Sequence, residues 1–474
     1  MMGLYASVKR CGYYPGRMRG YVPTPEAIVD LMVEKLFSKR EPRLGDRLLD
    51  PGCGPGAFIH GVLRWCDRNQ SHVPEIVGVE LDPRHVATAK ASFDGVRGIT
   101  ILEEDFFTCD PGSFDFVIGN PPYVPITEIK EEEKGALKAS FRSAQGRFDL
   151  YMLFFERGMN QLAPAGRMVF ITPDKFLSVE SCRTLRKMMA AFGIEQVALL
   201  PENTFASLAT YPAVTVLDRS VSGSLFEVST RAGSTINVKV DEAGSSLMPQ
   251  INGYVEGDGS RKKLSQLCER ISAGVATGAD KLFVLEAQDI PEALQPFSYP
   301  TVAGRQLVGQ REPITCDDRM LVPYDRRGVL LAEGDLGALG EYLAEPVRRQ
   351  RLERRTCVAR KPWYAFHETP PTTDIFRPKI LCQDLVGEPR FWRDDKGEIL
   401  PRHTVYYIVP RNPELLRALC NYLNGPEARE WLKAHCQRAA NGFLRLQSTV
   451  LKELPVPDLA DLGRRQGHLF GGAL

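Results

Sequence analysis

The sequence predicts an α/β fold: an N-terminal domain built on a mixed, mainly parallel sheet, and a C-terminal domain of mixed α+β character. Three observations predict it. Short apolar runs typical of buried strands recur through the first half of the chain, one of them passes through a glycine loop into a helix, and four successive runs end in glycine, carboxylate or amide residues. Carboxyl ends of parallel strands share one edge of a sheet, so these polar residues are expected to meet there.

Bulk properties limit the possible classes of protein. The 474 residues are enough for two or three domains, and 43% hydrophobic and 25% charged residues are ordinary for a soluble globular protein. A net charge of +1 means that any nucleic-acid surface must come from segregated charge. The eleven cysteines form no CxxC pair, which predicts neither a zinc site nor a disulfide framework. Without an apolar leader or a membrane-length run, we expect a cytoplasmic protein that holds no metal.

The first elements carry a helix start and a glycine loop. Thr24 precedes Pro25, which suits the first turn of a helix with an apolar face. The segment 47–58 then runs from a strand through Gly52 and Gly54 into a second helix. Glycines let the backbone pass close to a ligand, and a helix N-terminus favours negative charge. Such a loop alone often marks only a tight turn.

The next two strands supply the acidic residues that a nucleoside needs. Glu80 ends the strand that follows the glycine loop, at the spacing expected of a carboxylate that accepts both ribose hydroxyls. Asp105, after a third strand, can accept the amino group of an adenine, and Phe106 can cover its ring. The order of these groups predicts a Rossmann-like domain that binds a nucleoside cofactor.

The fourth strand ends in Asn120-Pro121-Pro122-Tyr123. Two prolines hold this loop extended and stiff. The Asn120 side-chain oxygen and the Pro121 carbonyl can accept both hydrogens of a planar amino group whose ring stacks on Tyr123. Accepting both hydrogens draws the nitrogen out of plane and frees its lone pair for attack.

The remaining chemistry points to methyl transfer. The chain shows no nicotinamide partner, no metal cluster and no nucleophilic serine or cysteine arrangement beside this amino-nitrogen clamp. These features together suggest S-adenosylmethionine (SAM), whose sulfonium is already a good leaving group. The protein then mainly has to align nitrogen, methyl and sulfur, and a general base is not obligatory.

These motifs as a set resemble the γ-class (TaqI-like) adenine-N6 DNA methyltransferases. The resemblance rests on the stretches 20–25, 50–58, 80–83, 105–106 and 120–123. It implies a catalytic motif of Asn120, Pro121, Pro122 and Tyr123, with the flipped adenine between Tyr123 and Phe205. It also implies a SAM pocket lined by Thr24, Asp50, Gly52, Gly54, Glu80, Leu81, Asp105, Phe106 and Asn120.

The C-terminal half separates DNA from other substrates. Residues 246–474 resemble the DNA target-recognition domain of the same class, whereas glutamine methyltransferases of release factors, which share the Asn-Pro-Pro-Tyr motif, have no comparable module. A basic stretch followed by aromatics suits contact with phosphates. Its candidate DNA-binding residues are Arg348, Arg349, Arg351, Arg355 and Lys361. In the catalytic domain, residues 1–245, Arg183, Arg186 and Lys187 are expected on a solvated helix face.

The sequence therefore predicts a monomeric, SAM-dependent methyltransferase acting on adenine N6 in double-stranded DNA. As the modification arm of a restriction-modification system, it would have its restriction endonuclease as a separate chain. Two classes of alternative stay open: a methyltransferase acting on RNA adenine, cytosine N4 or protein glutamine, and a non-catalytic nucleic-acid-binding module.

Overall fold

The computed structural model describes residues 20–205, 211–221, 223–255, 257, 260–370, 372–439 and 442–458. The chain divides into two compact units between Gly253 and Tyr254. Among the described residues, no helix combines the length and apolar character needed to cross a membrane.

The described part of unit 1 contains a nine-stranded sheet in the order β3-β2-β1-β4-β5-β7-β6-β8-β9. Its strands are β1 Arg47–Pro51, β2 Glu75–Glu80, β3 Ile99–Glu103, β4 Phe114–Gly119, β5 Leu162–Pro173, β6 Ile194–Leu199, β7 Pro212–Asp218, β8 Leu225–Ser229 and β9 Thr235–Lys239. Its helices are α1 Glu26–Phe37, α2 Ala57–Asn69, α3 Pro83–Ser92, α4 Glu131–Ser140, α5 Leu150–Gln161, α6 Arg183–Phe192 and α7 Met248–Ile251. The strands from β3 to β5 are parallel to their neighbours, and β7 runs antiparallel to both β5 and β6. The predicted mixed, mainly parallel sheet is confirmed.

The sheet is covered on both faces. Along β4, Val117 enters one hydrophobic cluster while its neighbours Phe116 and Ile118 enter another. Successive strand side chains point to opposite faces, so the two clusters lie on the two sides of the sheet. Helices α1 and α2 fill one cluster, and α5 and α6 fill the other. This two-sided burial explains the nearly continuous apolar runs of the parallel strands.

The topology sets the position of the site. Strand β1 lies between β2 and β4, with Leu48 opposite Phe116 and Leu49 opposite Val117. At this point the strand order reverses, because the chain fills the β2 side before it returns to add β4. Ligands of open α/β sheets bind where the order reverses, at the carboxyl ends of the strands. The glycine loop and the Asn-Pro-Pro-Tyr loop therefore start from adjacent strand ends.

Unit 2 contains several small sheets. Its strands are β10 Lys262–Lys263, β11 Cys268–Ala273, β12 Val284–Glu286, β13 Ser298–Val302, β14 Asp318–Leu321, β15 Lys379–Gln383, β16 Leu385–Val386, β17 Phe391–Asp394, β18 Leu400–Pro401, β19 Val405–Pro410, β20 Gln437–Arg438, β21 Leu444–Arg445 and β22 Pro455–Val456. Its helices are α8 Leu264–Leu267, α9 Asp280–Phe283, α10 Gly304–Leu307, α11 Gly337–Ala344, α12 Pro346–Glu353, α13 Thr372–Ile375, α14 Leu416–Leu423, α15 Pro426–His435 and α16 Ser448–Glu453. The antiparallel sheet β11-β19-β15-β17 separates two cores, because Tyr407 enters one and its neighbour Ile408 the other.

One expectation about unit 1 is wrong. Arg186 is 1% exposed and does not lie on a solvated helix face with Arg183 and Lys187. Its guanidinium donates to the carbonyl oxygens of Gly244 (2.9 Å), Phe176 (2.7 Å) and Val179 (2.9 Å). Carbonyl groups of the connection between β5 and α6, and of the distant Gly244, replace the water that a surface arginine would bind. Helical periodicity alone does not reveal them.

Candidate active site

The glycine loop after β1 is held against β2. The amide groups of Gly52 and Cys53 donate to the carbonyl oxygen of Val79 at 2.7 and 3.0 Å. Gly54 has a φ of +55°, and a β-carbon there would lie 2.7 Å from a ring atom of Tyr21. Both the backbone conformation and the packing therefore require glycine at this position. The amide groups of the loop thus tie it to the carboxyl end of β2.

Glu80, at the end of β2, is fixed by backbone donors. One carboxylate oxygen accepts the amide hydrogen of Gly54 at 2.8 Å, and the other accepts those of Leu81 and Asp82, both at 2.7 Å. Each carboxylate oxygen can accept two hydrogen bonds, so the oxygen that faces Gly54 keeps capacity for a ligand hydroxyl. The glycine loop thus sets the direction of the carboxylate.

A cavity, partly open to solvent, occupies the edge formed by these loops. Six predicted cofactor residues line it: Gly52, Glu80, Leu81, Asp105, Phe106 and Asn120. Pro122 of the predicted catalytic motif lines it too. Thr24 and Gly54 lie behind this lining and contact Asn120 and Glu80 respectively.

The aromatic wall of the cavity comes from two different elements. Phe106 follows β3, and Phe154 lies on α5; their ring centroids are 5.1 Å apart. Phe106 is 3% exposed, and the Asp105 carboxylate before it accepts the amide hydrogen of Phe107 at 2.9 Å. A flat apolar wall beside a carboxylate suits an adenine ring with its amino group.

Asp50 is the most unusual acid of the site. Its side chain is fully buried at the end of β1, and neither carboxylate oxygen has a hydrogen-bond partner among the described residues. Burial, with the Glu80 charge adding to it, raises the pKa of Asp50 well above its usual value. A buried carboxylate without a partner is costly. Asp50 is not among the residues that line the cavity, although Gly52, two residues further along the chain, is.

Asn120 is oriented by a segment from the start of the chain. Its side-chain nitrogen donates to the carbonyl oxygen of Val22 and to the hydroxyl of Thr24, both at 3.0 Å. A carbonyl oxygen can only accept, so the amide cannot be turned the other way. The Asn120 side-chain oxygen is buried and has no hydrogen-bond partner within the described residues. An acceptor is left unused on a residue that lines the cavity.

Tyr123 and Phe205, the predicted stacking pair, are neighbours. Their ring centroids are 6.3 Å apart with an interplanar angle of 76°. The Tyr123 hydroxyl donates to the Ile171 carbonyl oxygen at 3.4 Å, a long contact, and burial raises the pKa of this tyrosine. Phe205 is 4% exposed, so it is buried rather than displayed on a polar loop. The two rings therefore meet edge to face.

Sequence reasoning missed several residues that line the cavity. Tyr21 and His85 lie at one side of it, with ring centroids 4.5 Å apart. Tyr21 follows the glycine of the Gly-Tyr-Val-Pro-Thr-Pro stretch, so its position in that motif was the available signal. Phe154 lies in an apolar run of a helix, and the sequence does not show which turn of that helix faces β3.

The basic residues of this stretch of unit 2 are of three kinds. The Arg355 guanidinium donates to the carbonyl oxygens of Leu352, Thr277 and Trp363, and the Lys361 ammonium to those of Phe366 and His367. Arg348 and Arg349 pair with Glu345 and Glu353 on or beside α12. The Arg351 side chain is exposed and has no ion-pair partner in the described part of the chain.

Comparisons with known proteins agree with this architecture. Residues 86–203 match the family model described as Eco57I restriction-modification methylase. The chain is 25% identical to the type II methyltransferase M.PaeR7I of Pseudomonas aeruginosa, over 94% of this chain and 87% of that protein. It is 24% identical to the type II methyltransferase M.XhoI of Xanthomonas vasicola, over 93% and 91%.

A solved structure extends the likeness over both units. The chain resembles the type IIL restriction-modification enzyme MmeI, solved in complex with DNA, with a TM-score of 0.63 and 13% identity. The match covers 91% of this chain and 67% of that enzyme. At this identity the likeness concerns the fold.

Proposed function

We propose that this chain, a DNA methyltransferase of the restriction-modification type, transfers a methyl group from SAM to the N6 amino group of adenine in double-stranded DNA. The observation that carries the proposal is the Asn120 side-chain oxygen, a buried acceptor without a partner among the described residues, at the edge of the cavity. The Pro121 carbonyl follows it directly in the chain.

The residues of the cavity fit SAM. Glu80 would accept its ribose hydroxyls, Asp105 its adenine amino group, and Phe106 would cover the adenine ring. The buried Asp50 carboxylate, which lacks a hydrogen-bond partner, suits a nearby cationic group. When bound, SAM supplies an activated methyl group on a sulfonium that leaves without protonation.

The protein's own contribution is alignment. The Asn120 oxygen and the Pro121 carbonyl accept the two N6 hydrogens, which directs the nitrogen lone pair toward the methyl group. The Val22 and Thr24 acceptors keep the Asn120 amide in the required orientation. Tyr123 stacks on the adenine, which must leave the duplex because its amino group is otherwise out of reach.

Unit 2 would recognise the target sequence. Its exposed Arg351 suits contact with a phosphate, whereas Arg355 and Lys361, which donate to carbonyl groups of the same unit, would support that surface from behind. We infer that methylation protects a DNA site from an endonuclease carried on a separate chain.

Asn120→Ala tests the proposal. The variant should lose methyl transfer to DNA by at least roughly 100-fold, because it lacks an acceptor that aligns the reacting nitrogen. SAM affinity, measured by calorimetry, should change by less than about threefold. Asn237→Ala, on the exposed face of β9, is the matched control. Equal loss of transfer and SAM binding would contradict the role assigned to Asn120.

A further inference from the structure

Arg231 lies at the tip of the β8–β9 hairpin, which extends the sheet beyond β6. The turn is closed by bonds from the Thr230 amide to the Ser234 carbonyl (2.8 Å) and from the Gly233 amide to the Thr230 carbonyl (3.0 Å). Strand β8 runs parallel to β6, with Ser229 opposite Ala198 near the β6 carboxyl end. The turn therefore lies at the same edge of the sheet as the Asn-Pro-Pro-Tyr loop.

Arg231 contacts both ends of the segment that carries Phe205. Its Nε donates to the carbonyl oxygen of Leu200 at 2.9 Å, at the start of that segment. Its guanidinium carbon lies 4.7 Å from the ring centroid of Tyr211, at the end of it. We call the described residues 200–205, together with Tyr211, the Phe205 segment. One side chain thus holds both of its ends.

The same guanidinium ties the segment to the end of β5. Arg231 Nη2 donates to Asp174 Oδ2 at 2.6 Å, and the Asp174 amide donates to the Tyr211 carbonyl at 2.8 Å. Asp174 directly follows β5, the neighbour of the strand that ends in the catalytic motif. The network connects the hairpin, the Phe205 segment and the central sheet.

Only arginine can make these contacts together. Its planar guanidinium presents donors in fixed, different directions and can stack on an aromatic ring at the same time. A lysine would keep the charge, but its single nitrogen cannot reproduce the two directed bonds together with the planar stack.

We propose that Arg231 is a positioning residue that fixes the Phe205 segment, so that Phe205 meets the target base opposite Tyr123. The proposal rests on the proposed function. Arg231 acts through Phe205, whose ring centroid is 6.3 Å from that of Tyr123. The β8–β9 hairpin then has a purpose at the site in addition to covering the sheet edge.

Hydrogen–deuterium exchange of the full chain tests the contact without any substrate. Arg231→Ala and Arg231→Lys should both raise exchange in peptides that cover Asp174 and the ends of the Phe205 segment. Arg97→Met, at an exposed position before β3, is the control and should leave it unchanged. If the Arg231 variants exchanged at the wild-type rate, Arg231 would not hold the Phe205 segment. This conclusion would stand even if the protein methylated something other than DNA.

Single-turnover kinetics test the consequence. Arg231→Ala should slow transfer to a DNA site already identified by sequencing by roughly 10- to 100-fold, because small misplacement of reacting groups is costly. SAM affinity should stay within about threefold, and Arg231→Lys should not restore the rate. Faster exchange with a wild-type rate would overturn the positioning role. If the wild type transfers nothing to DNA, the proposed function fails. Hydrogen–deuterium exchange still shows whether Arg231 holds the Phe205 segment.

A double-mutant cycle separates positioning from general stability. If Arg231 acts through Phe205, adding Arg231→Ala to Phe205→Ala should slow the reaction little further. Additive losses would overturn the mechanism. Should Arg231→Ala fail to fold, Asp174→Asn removes the charge from the other end of the same bond and should show the same non-additivity.

Discussion

The side-chain nitrogen of Asn120 lies 3.0 Å from the carbonyl oxygen of Val22, 98 residues earlier in the chain. That contact determines which end of the amide faces the cavity. In the proposed function, the stretch before α1 therefore helps to orient the catalytic motif and is not merely a lead into the first helix. Thr24, predicted as a cofactor residue, shares this task because its hydroxyl accepts the second Asn120 hydrogen.

Thr24→Val should slow methyl transfer by roughly 10-fold, since the amide loses one of two orienting acceptors while the side-chain volume is kept. Thr24→Ser retains the hydroxyl and should stay near the wild-type rate. Single-turnover assays at saturating SAM make the comparison. A serine variant as slow as the valine variant would show that the Thr24 methyl group, and not its hydroxyl, matters.

Tyr123→Ala should reduce the transfer rate far more than Tyr123→Phe, because we assign the role to the ring. The hydroxyl makes only the 3.4 Å contact with the Ile171 carbonyl. Loss of a base–aromatic stack costs about 1–3 kcal/mol, or roughly 5- to 150-fold. Single-turnover rates for the two variants provide the measurement. Comparable losses in both would argue against stacking.

Asp50→Asn should stabilise the protein without cofactor by roughly 1–3 kcal/mol near pH 8 and weaken SAM binding. The raised pKa of Asp50 means that the folded protein holds a proton that the unfolded chain releases near pH 4. The Asp50 contribution to the free energy of unfolding should therefore fall as pH rises from about 4 through the folded-state pKa.

Urea unfolding of wild type and Asp50→Asn at several pH values checks this sign. The stability gap between them should be smallest near pH 4 and widen as pH rises, because asparagine does not titrate. A gap independent of pH would mean that Asp50 has the same protonation in the folded and unfolded states.

Arg351→Ala and Arg355→Ala should differ in kind. The exposed Arg351 should contribute to DNA affinity, and its loss should reduce the slope of log affinity against log salt by about 1. The Arg355 guanidinium donates to three carbonyl groups. Arg355→Ala should therefore lower the free energy of unfolding by roughly 2–4 kcal/mol. Salt titrations of DNA binding and urea unfolding separate the two, and a stability loss in Arg351→Ala would reverse the assignment.

Local chemistry made much of the fold predictable. Strand ends such as Glu80 and Asn120 combine an apolar run with an abrupt glycine, acid or proline, and these signals depend on adjacent residues only. The stretch 218–262 predicts a possible hairpin between Phe226 and Val240, and the structure pairs β8 with β9 there. By contrast, the sequence predicts a strand, a glycine loop and a second strand over 271–283, where the structure instead forms helix α9 before strand β12 begins.

Contacts between distant segments were not predictable. The burial of Arg186 depends in part on the carbonyl group of Gly244, 58 residues away, and the orientation of Asn120 depends on Val22. The sequence of the basic stretch could not show that Arg355 is structural and Arg351 exposed. The two differ in whether the guanidinium donates to carbonyl groups of the folded unit. Arg231 falls in the turn of the predicted hairpin, and nothing in the local sequence indicates the contacts of its side chain with Leu200, Asp174 and Tyr211.

The most direct test of the central claim is methyl transfer from labelled SAM to mixed duplex DNA, followed by digestion to nucleosides and mass analysis. The proposed function predicts label in N6-methyladenine and none with Asn120→Ala. Label in N4-methylcytosine, or in RNA or protein but not in DNA, would contradict it.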